Sequence, residues 1–88
     1  MVETKAIVKN KVGFHSRPAT RVREEAMKYK SKISLIYNNQ EVNAKSVIEM
    51  ITLAIPPGAE VIIRAEGEDE KEAVEAILKL FEAKFYEE

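Results

Sequence analysis

The sequence predicts an α+β fold in which one β-sheet is covered on one face by helices. Short segments that alternate apolar and polar residues have the period of half-buried strands. Other segments repeat apolar residues at helical spacing. The segments follow one another in the order β-α-β-β-α-β-α, and strands that alternate with helices favour a single sheet with helices packed on it.

The first two elements are a strand and a helix. Residues 2–8 predict a half-buried strand, because alternate side chains form one apolar face: Val2, Thr4, Ala6 and Val8. A helix is predicted from about Ser16 to about Met27. Pro18 suits its first turn, where the missing N–H removes no intrahelical bond, and we expect the Ser16 hydroxyl to cap it. The apolar face of this helix is Ala19, Val22 and Ala26.

The middle of the chain predicts a hairpin and a short helix. In KISLIYNNQEVN, residues 32–43, the pair Asn38-Asn39 tolerates positive φ and closes a tight turn between two strands. The segment AKSVIEMITLA, residues 44–54, predicts a second helix with Ser46 as its cap. The following IPPG ends that helix, since neither proline continues a helical ladder.

The last two elements are a strand and a long helix. The segment EVIIRAEG, residues 60–67, predicts a strand with Val61, Ile63 and Ala65 on one face. The helix begins near Asp69. Its predicted apolar stripe is Ala73, Val74, Ile77, Leu78, Phe81 and Phe85.

Composition excludes several classes of protein. We expect the 88 residues to form a single domain over 1–88, with 45% apolar residues and no repeat or linker. The absence of cysteine excludes disulfides, thiolate metal sites and cysteine nucleophiles. No apolar run reaches the length of a membrane span, and MVETKAIVKN lacks the apolar middle of a signal peptide. We therefore expect a cytoplasmic protein. The net charge of −1 and the lack of a basic stripe argue against general nucleic-acid binding.

The segment GFHSRPAT, residues 13–20, contains the features that indicate chemistry. Its histidine, His15, is the only one in the chain and lies just before the predicted helix. A neutral imidazole is a nucleophile near pH 7. Arg17 offers a permanently charged guanidinium for phosphate oxygens, and the first N–H groups of a helix also suit phosphate. Together they indicate a phosphoryl acceptor. The alternative is a surface or capping histidine without a chemical role, which is the commoner use of a lone histidine.

A phosphoryl group on imidazole stays reactive, so the chemistry indicated is relay. The chain has no GxxxxGK[ST] phosphate loop, so the donor must be another protein. We therefore expect a carrier and not an enzyme, with no cofactor. A lone histidine also predicts no metal site, because structural zinc sites use about four ligands.

Two motifs resemble one known family. GFHSRPA at residues 13–19 and NAKSVIEMITLAIPPGAEV at residues 43–61 are similar to HPr proteins, the histidine-containing phosphocarriers of the bacterial phosphoenolpyruvate:sugar phosphotransferase system. The resemblance covers essentially the whole chain. It implies an open-faced β-sandwich, with a four-stranded antiparallel sheet under three helices.

The resemblance also implies roles and partners. His15 would be phosphorylated on Nδ1, with Arg17 and the first helical amides assisting. Enzyme I would donate the phosphoryl group and enzyme IIA domains of sugar permeases would accept it. Such a carrier is simplest as a monomer, with no membrane insertion and no direct contact with nucleic acid.

A second set of implied roles lies on the second helix. Ser46 matches a regulatory serine that an HPr kinase phosphorylates in some relatives, which then act with a catabolite control protein; the alternative is a helix cap only. Val47, Ile48 and Ile51 would dock partners, and we expect Ile48 and Ile51 to face outward, with Val47 and Met50 less exposed.

The chain departs from the family pattern at Glu49 and Ala54, where glycine is usual. Glu49 puts a negative charge on the docking helix and leaves the choice of partner open. Two other functions also stay open: a carrier in the parallel nitrogen-related phosphotransfer chain, and a small module without phosphotransfer, such as an RNA-binding domain.

Overall fold

The computed structural model describes residues 1–86 and confirms the predicted order of elements. Its four strands form one antiparallel sheet in the order β1-β4-β2-β3. The strands are β1 (Val2–Ile7), β2 (Lys32–Tyr37), β3 (Gln40–Asn43) and β4 (Glu60–Glu66). The helices that cover the sheet are α1 (Ser16–Ala26), α2 (Val47–Ile51) and α3 (Glu70–Glu82). The predicted α+β open-faced sandwich is confirmed.

The sheet buries the face that the alternation predicts. Thr4, Ile63 and Leu35 are directly opposite one another on β1, β4 and β2, and the core side of the sheet is Ala6, Ile33, Leu35, Val61, Ile63 and Ala65. The turn between β2 and β3 has φ of 54° at Asn38 and 65° at Asn39. Two successive left-handed residues are what a two-residue hairpin needs, because they match the twist of the strands.

The apolar stripe of α3 differs from the prediction at two residues. Leu80 is 6% exposed and belongs to the core, whereas Leu78 is only partly buried. On a helix, Leu80 lies about 60° and Leu78 about 100° from Ile77, so Leu80 is nearer the buried centre. Phe85 is fully buried but lies beyond the helix, in a short turn over Lys84–Tyr86.

Helix α2 is shorter than predicted and ends before the prolines. Ser46 is its N-cap, as expected, and its Oγ accepts the Glu49 N–H at 3.3 Å. The helix ends at Ile51, and the hydroxyl of the next residue, Thr52, donates a hydrogen bond to the Glu49 carbonyl at 2.6 Å. Ala54 then adopts a left-handed conformation with φ of 50°. This conformation stops a helix and is one that glycine adopts more readily than alanine.

One carboxylate joins two loops that are distant in sequence. Asp69, the N-cap of α3, does not cap its own helix; it accepts hydrogen bonds from the Lys30 N–H and the Ser31 N–H, each at 2.9 Å, and from the Ser31 hydroxyl. Gly67 lies against Ser31, and a Cβ at Gly67 would be 2.7 Å from the Ser31 Oγ. The Ser31 hydroxyl, followed by the Lys30 N–H, lowers the pKa of Asp69 from 3.8 to about 2.

The Asp69 carboxylate predicts a specific loss of stability in acid. Because its pKa is lower in the folded state, ionised Asp69 stabilises the fold at pH values above about 4, and this contribution disappears as the pH falls through about 2. We expect Asp69→Asn to unfold at a lower temperature than wild type at pH 7. Between pH 4 and pH 2 the unfolding temperatures of the two proteins should converge. Glu75→Gln, which changes an exposed carboxylate on the same helix, is the control, and parallel pH profiles for Asp69→Asn and wild type would contradict this role.

Candidate functional site

His15 is the N-cap of α1, a position that the sequence analysis assigned to Ser16. The His15 backbone is extended, with φ of −116°, and its carbonyl accepts the Ala19 N–H at 3.1 Å. A cap at Ser16 fails for a physical reason. The N–H groups it would need belong to Pro18, which has none, and to Ala19, which already bonds His15. Ser16 is instead the first helical residue.

Buried residues hold His15 from both sides. Phe14, immediately before it, is 4% exposed and lies in an aromatic cluster with Phe81 and Phe85 at centroid distances of 5.9 and 5.7 Å. After it, Pro18 and Ala19 are also buried. The backbone of His15 is therefore fixed by packing, while its side chain is only partly covered.

The loop before His15 is fastened to the loop that follows α2. The Phe14 N–H donates to the Ile55 carbonyl at 3.0 Å, and the buried Asn10 side chain donates to the Gly13 carbonyl at 2.7 Å. Gly13 has φ of 93°, and a Cβ there would be 2.8 Å from the Ile55 oxygen. Only glycine permits both this backbone conformation and this close approach.

The start of α1 is suited to an anion. The Ser16 and Arg17 N–H groups have no intrahelical acceptor, because they belong to the first turn. That turn contains no acidic residue, so nothing within it offsets the positive end of the helix dipole. Arg17 is exposed and lines an open groove with Arg21 on the same helix. His15 and Arg17, predicted together, therefore share one helix terminus, and the His15 Nε2 atom is buried from solvent.

The predicted second-helix residues lie on α2, which packs against α1. Ile48 is 74% and Ile51 is 39% exposed, so their outward orientation is confirmed. Val47 is partly buried and Met50 is fully buried in the core. Ser46 is partly exposed at the cap position.

Met27, whose exposure was not predicted from the sequence, is 54% exposed just after α1. Glu25 lines a groove with residues of α3. Met27 is two residues further on, about 200° around the helix axis, and therefore lies away from the flank that faces α3. We call Val47, Ile48 and Ile51, the exposed and partly exposed apolar residues of α2, the docking face.

Two further side chains hold α2 in place, and neither role was predicted. The Lys45 Nζ donates to the Tyr29 carbonyl at 2.9 Å and joins the start of α2 to the end of α1. The Glu49 carboxylate accepts the Asn43 N–H at 3.0 Å. The spacing Ser46-x-x-Glu49 is a capping-box signal, although the glutamate here reaches three residues further back than in that motif.

Comparisons with known proteins show the family to which this chain belongs. A family model described as the PTS HPr component phosphorylation site matches residues 2–83. The chain belongs to the HPr family. The phosphocarrier protein HPr of Mycoplasma capricolum is 40% identical over 77 residues, which are 88% of this chain and 86% of the relative.

Solved structures in the family have the same fold. HPr-C-His from Thermoanaerobacter tengcongensis superposes with a TM-score of 0.94 at 42% identity, covering 100% of this chain and 99% of the other. An HPr dimer from the same organism superposes with a TM-score of 0.74 at 38% identity, covering 97% and 98%. Among residues 1–86, no helix has the length and apolar character to cross a membrane.

The close approach at Gly13 predicts unequal effects of two glycine substitutions. Gly13→Ala and Gly58→Ala both place a Cβ at positive φ, but only Gly13 has atoms within 4 Å of that Cβ. Left-handed strain costs about 1–2 kcal/mol in either variant, and the clash should add about 1–3 kcal/mol in Gly13→Ala. Urea unfolding of both variants measures the difference. Equal decreases in the free energy of unfolding would show that the loop before His15 shifts to accommodate the Cβ of Gly13→Ala without an additional loss of stability.

Proposed function

We propose that this chain relays phosphoryl groups on His15 from enzyme I to enzyme IIA domains of sugar permeases, in the cytoplasm. The observation that carries the proposal is the place of His15. Its backbone is held between buried Phe14 and Pro18, and its partly exposed ring stands at the unneutralised start of α1. A nucleophile held in this way needs no rearrangement to meet a donor.

The transfer is a displacement at phosphorus. The His15 Nδ1 lone pair forms a bond to phosphorus, while the bond from phosphorus to the donor breaks and its electron pair returns to the donor. The burial of Nε2 supports Nδ1 as the reacting nitrogen. The second transfer runs the same step in the other direction, with the acceptor as nucleophile and His15 as leaving group.

The charge on the transferring group is stabilised by the residues that follow His15. The Ser16 and Arg17 N–H groups offer two donors at the positive end of the helix dipole. The Arg17 guanidinium adds a permanent positive charge with planar donors. These groups stabilise the developing charge most when they are in place before transfer begins.

Recognition is assigned to the docking face, Val47, Ile48 and Ile51. An exposed apolar patch suits brief contact with partner proteins. Ser46, at the cap of α2, is proposed as the site where an HPr kinase places the γ-phosphoryl group of ATP, with a catabolite control protein as the partner of that form. About two negative charges at this place would change partner binding and leave the chemistry at His15 intact.

The working form is proposed to be a monomer, since a face that meets two partners in turn requires no second copy. The dimeric relative from Thermoanaerobacter tengcongensis makes this worth measuring. Sedimentation velocity at micromolar concentration decides between the two forms.

The first test is intact-mass spectrometry after incubation with phosphoenolpyruvate and enzyme I. We expect wild type to gain one phosphoryl group that mild acid removes, and His15→Ala to gain none. The variant should keep its fold, because the His15 side chain does not cap α1. Its unfolding temperature should stay within about 8 °C of the wild-type value, the shift that ~1 kcal/mol produces in a domain of this size. An unphosphorylated wild type, beside a working positive control, would refute the relay.

Steady-state kinetics with enzyme I separate the roles of Arg17 and Ile48. Arg17→Ala should lower kcat, because it removes charge at the reacting group, while His15 still becomes phosphorylated. Ile48→Ser should raise KM and leave kcat unchanged, because it removes only apolar contact with the partner. Arg23→Ala is the matched control on α1. Unchanged kcat in Arg17→Ala would exclude that residue from the transfer step.

A further inference from the structure

Helix α2 depends on contacts outside itself. It has five residues, and isolated helices below about 12–15 residues are marginal in water. One buried side chain, Met50, holds it to the core. Its N-terminal end is held by a small network in which the Ser46 N–H donates to the Asn43 carbonyl at 3.1 Å and the Lys45 N–H donates to the Asn43 Oδ1 at 2.9 Å. The docking face therefore depends on this network.

Glu49 closes the network. Asn43 is the last residue of the edge strand β3, and the next N–H, that of Ala44, pairs with the Ile33 carbonyl at 2.9 Å. The Asn43 N–H points the other way, out of the sheet, and donates to the Glu49 carboxylate at 3.0 Å. To reach it, the carboxylate passes back across the start of α2, where the Ser46 Oγ accepts the Glu49 N–H.

Glu49 and Ser46 thus both lie in the first turn of α2. The start of α2 already has a negative charge, held there by a backbone hydrogen bond. A negative charge on Ser46 would lie close to the Glu49 carboxylate within the same turn. Like charges at this spacing on a helix are destabilising. Release of the carboxylate would break the bond to Asn43.

We propose that Glu49 is a positioning residue for the docking face, and that its carboxylate makes this face sensitive to negative charge on Ser46. A charged Ser46 displaces Glu49 from the Asn43 N–H and loosens α2. A chain with an uncharged residue at position 49 lacks this response. The regulatory meaning rests on the proposed function, but the coupling between the two positions does not.

The experiment compares Ser46→Asp with Ser46→Asn in two backgrounds, wild type and Glu49→Gln. Asn and Asp cap helices about equally well, so the two variants differ mainly in the charge at position 46. Glutamine keeps an oxygen for the Asn43 N–H and removes the charge. Amide exchange at Asn43, followed by NMR, and the unfolding temperature are measured for all variants.

In the wild-type background, the Asn43 amide of Ser46→Asp should exchange about 1.4- to 2.3-fold faster than that of Ser46→Asn, which is the factor that corresponds to the free energy of a like-charge pair on a helix. The unfolding temperature should be lower by about 2 °C. In the Glu49→Gln background both differences should vanish, and 1 M salt should reduce them in wild type. Identical behaviour of Asp and Asn in wild type, or an equal effect in both backgrounds, would overturn the coupling.

Enzyme I kinetics supply the readout that a structural role alone would not move. Ser46→Asp should raise KM more in the wild-type background than in Glu49→Gln, with kcat unchanged in both. An equal rise in KM would mean that charge on Ser46 acts on the partner directly and not through Glu49. Failure of the relay itself would appear separately, as absence of phosphorylation in wild type, while the exchange measurements would still stand.

Discussion

The packing of Phe14 into the core is the constraint on which the rest of the site depends. Phe14 stacks on Phe81 and meets the edge of Phe85, while its N–H is bonded to Ile55. The next residue, His15, is consequently delivered to the surface at a fixed point with α1 beginning directly after it. A reactive side chain usually stands on a mobile loop. Here the loop has been made rigid by burying the residues on both sides of it, which lowers the entropy cost of forming a transfer complex.

The opposite end of α1 is fixed by a different kind of interaction. Eleven residues span about 16 Å, and beyond them Asp69 holds Lys30 and Ser31 by hydrogen bonds to a carboxylate. The net charge of −1 is unevenly distributed along the sequence, since residues 1–30 contain eight lysines and arginines against three glutamates, whereas residues 67–88 contain eight acidic residues against three lysines.

The sequence was sufficient for whatever depends on period and local chemistry. Alternation and helical spacing predict each strand and helix, and His15 with Arg17 predicts the site. It was insufficient where a partner lies far along the chain. The sequence places Asp69 only near the start of a helix, yet its carboxylate binds a loop 38 residues away. Ser16 reads as a cap until the N–H groups that it would need are traced, and the exposure of Met27 was not predicted because methionine is more often buried.

The two functional regions differ in mechanical character. The backbone of His15 follows Phe14, which is packed against Phe81 and Phe85 in the core. Its position therefore changes little when a surface side chain gains or loses a charge. The docking face stands on a helix of one and a half turns, held at its start by Glu49, Lys45 and the Ser46 cap. Stability is distributed unevenly in proteins, and elements with few buried contacts respond first to a small change in free energy. A charge added at Ser46 therefore acts on recognition, while the chemistry at His15 is protected by the packing of Phe14.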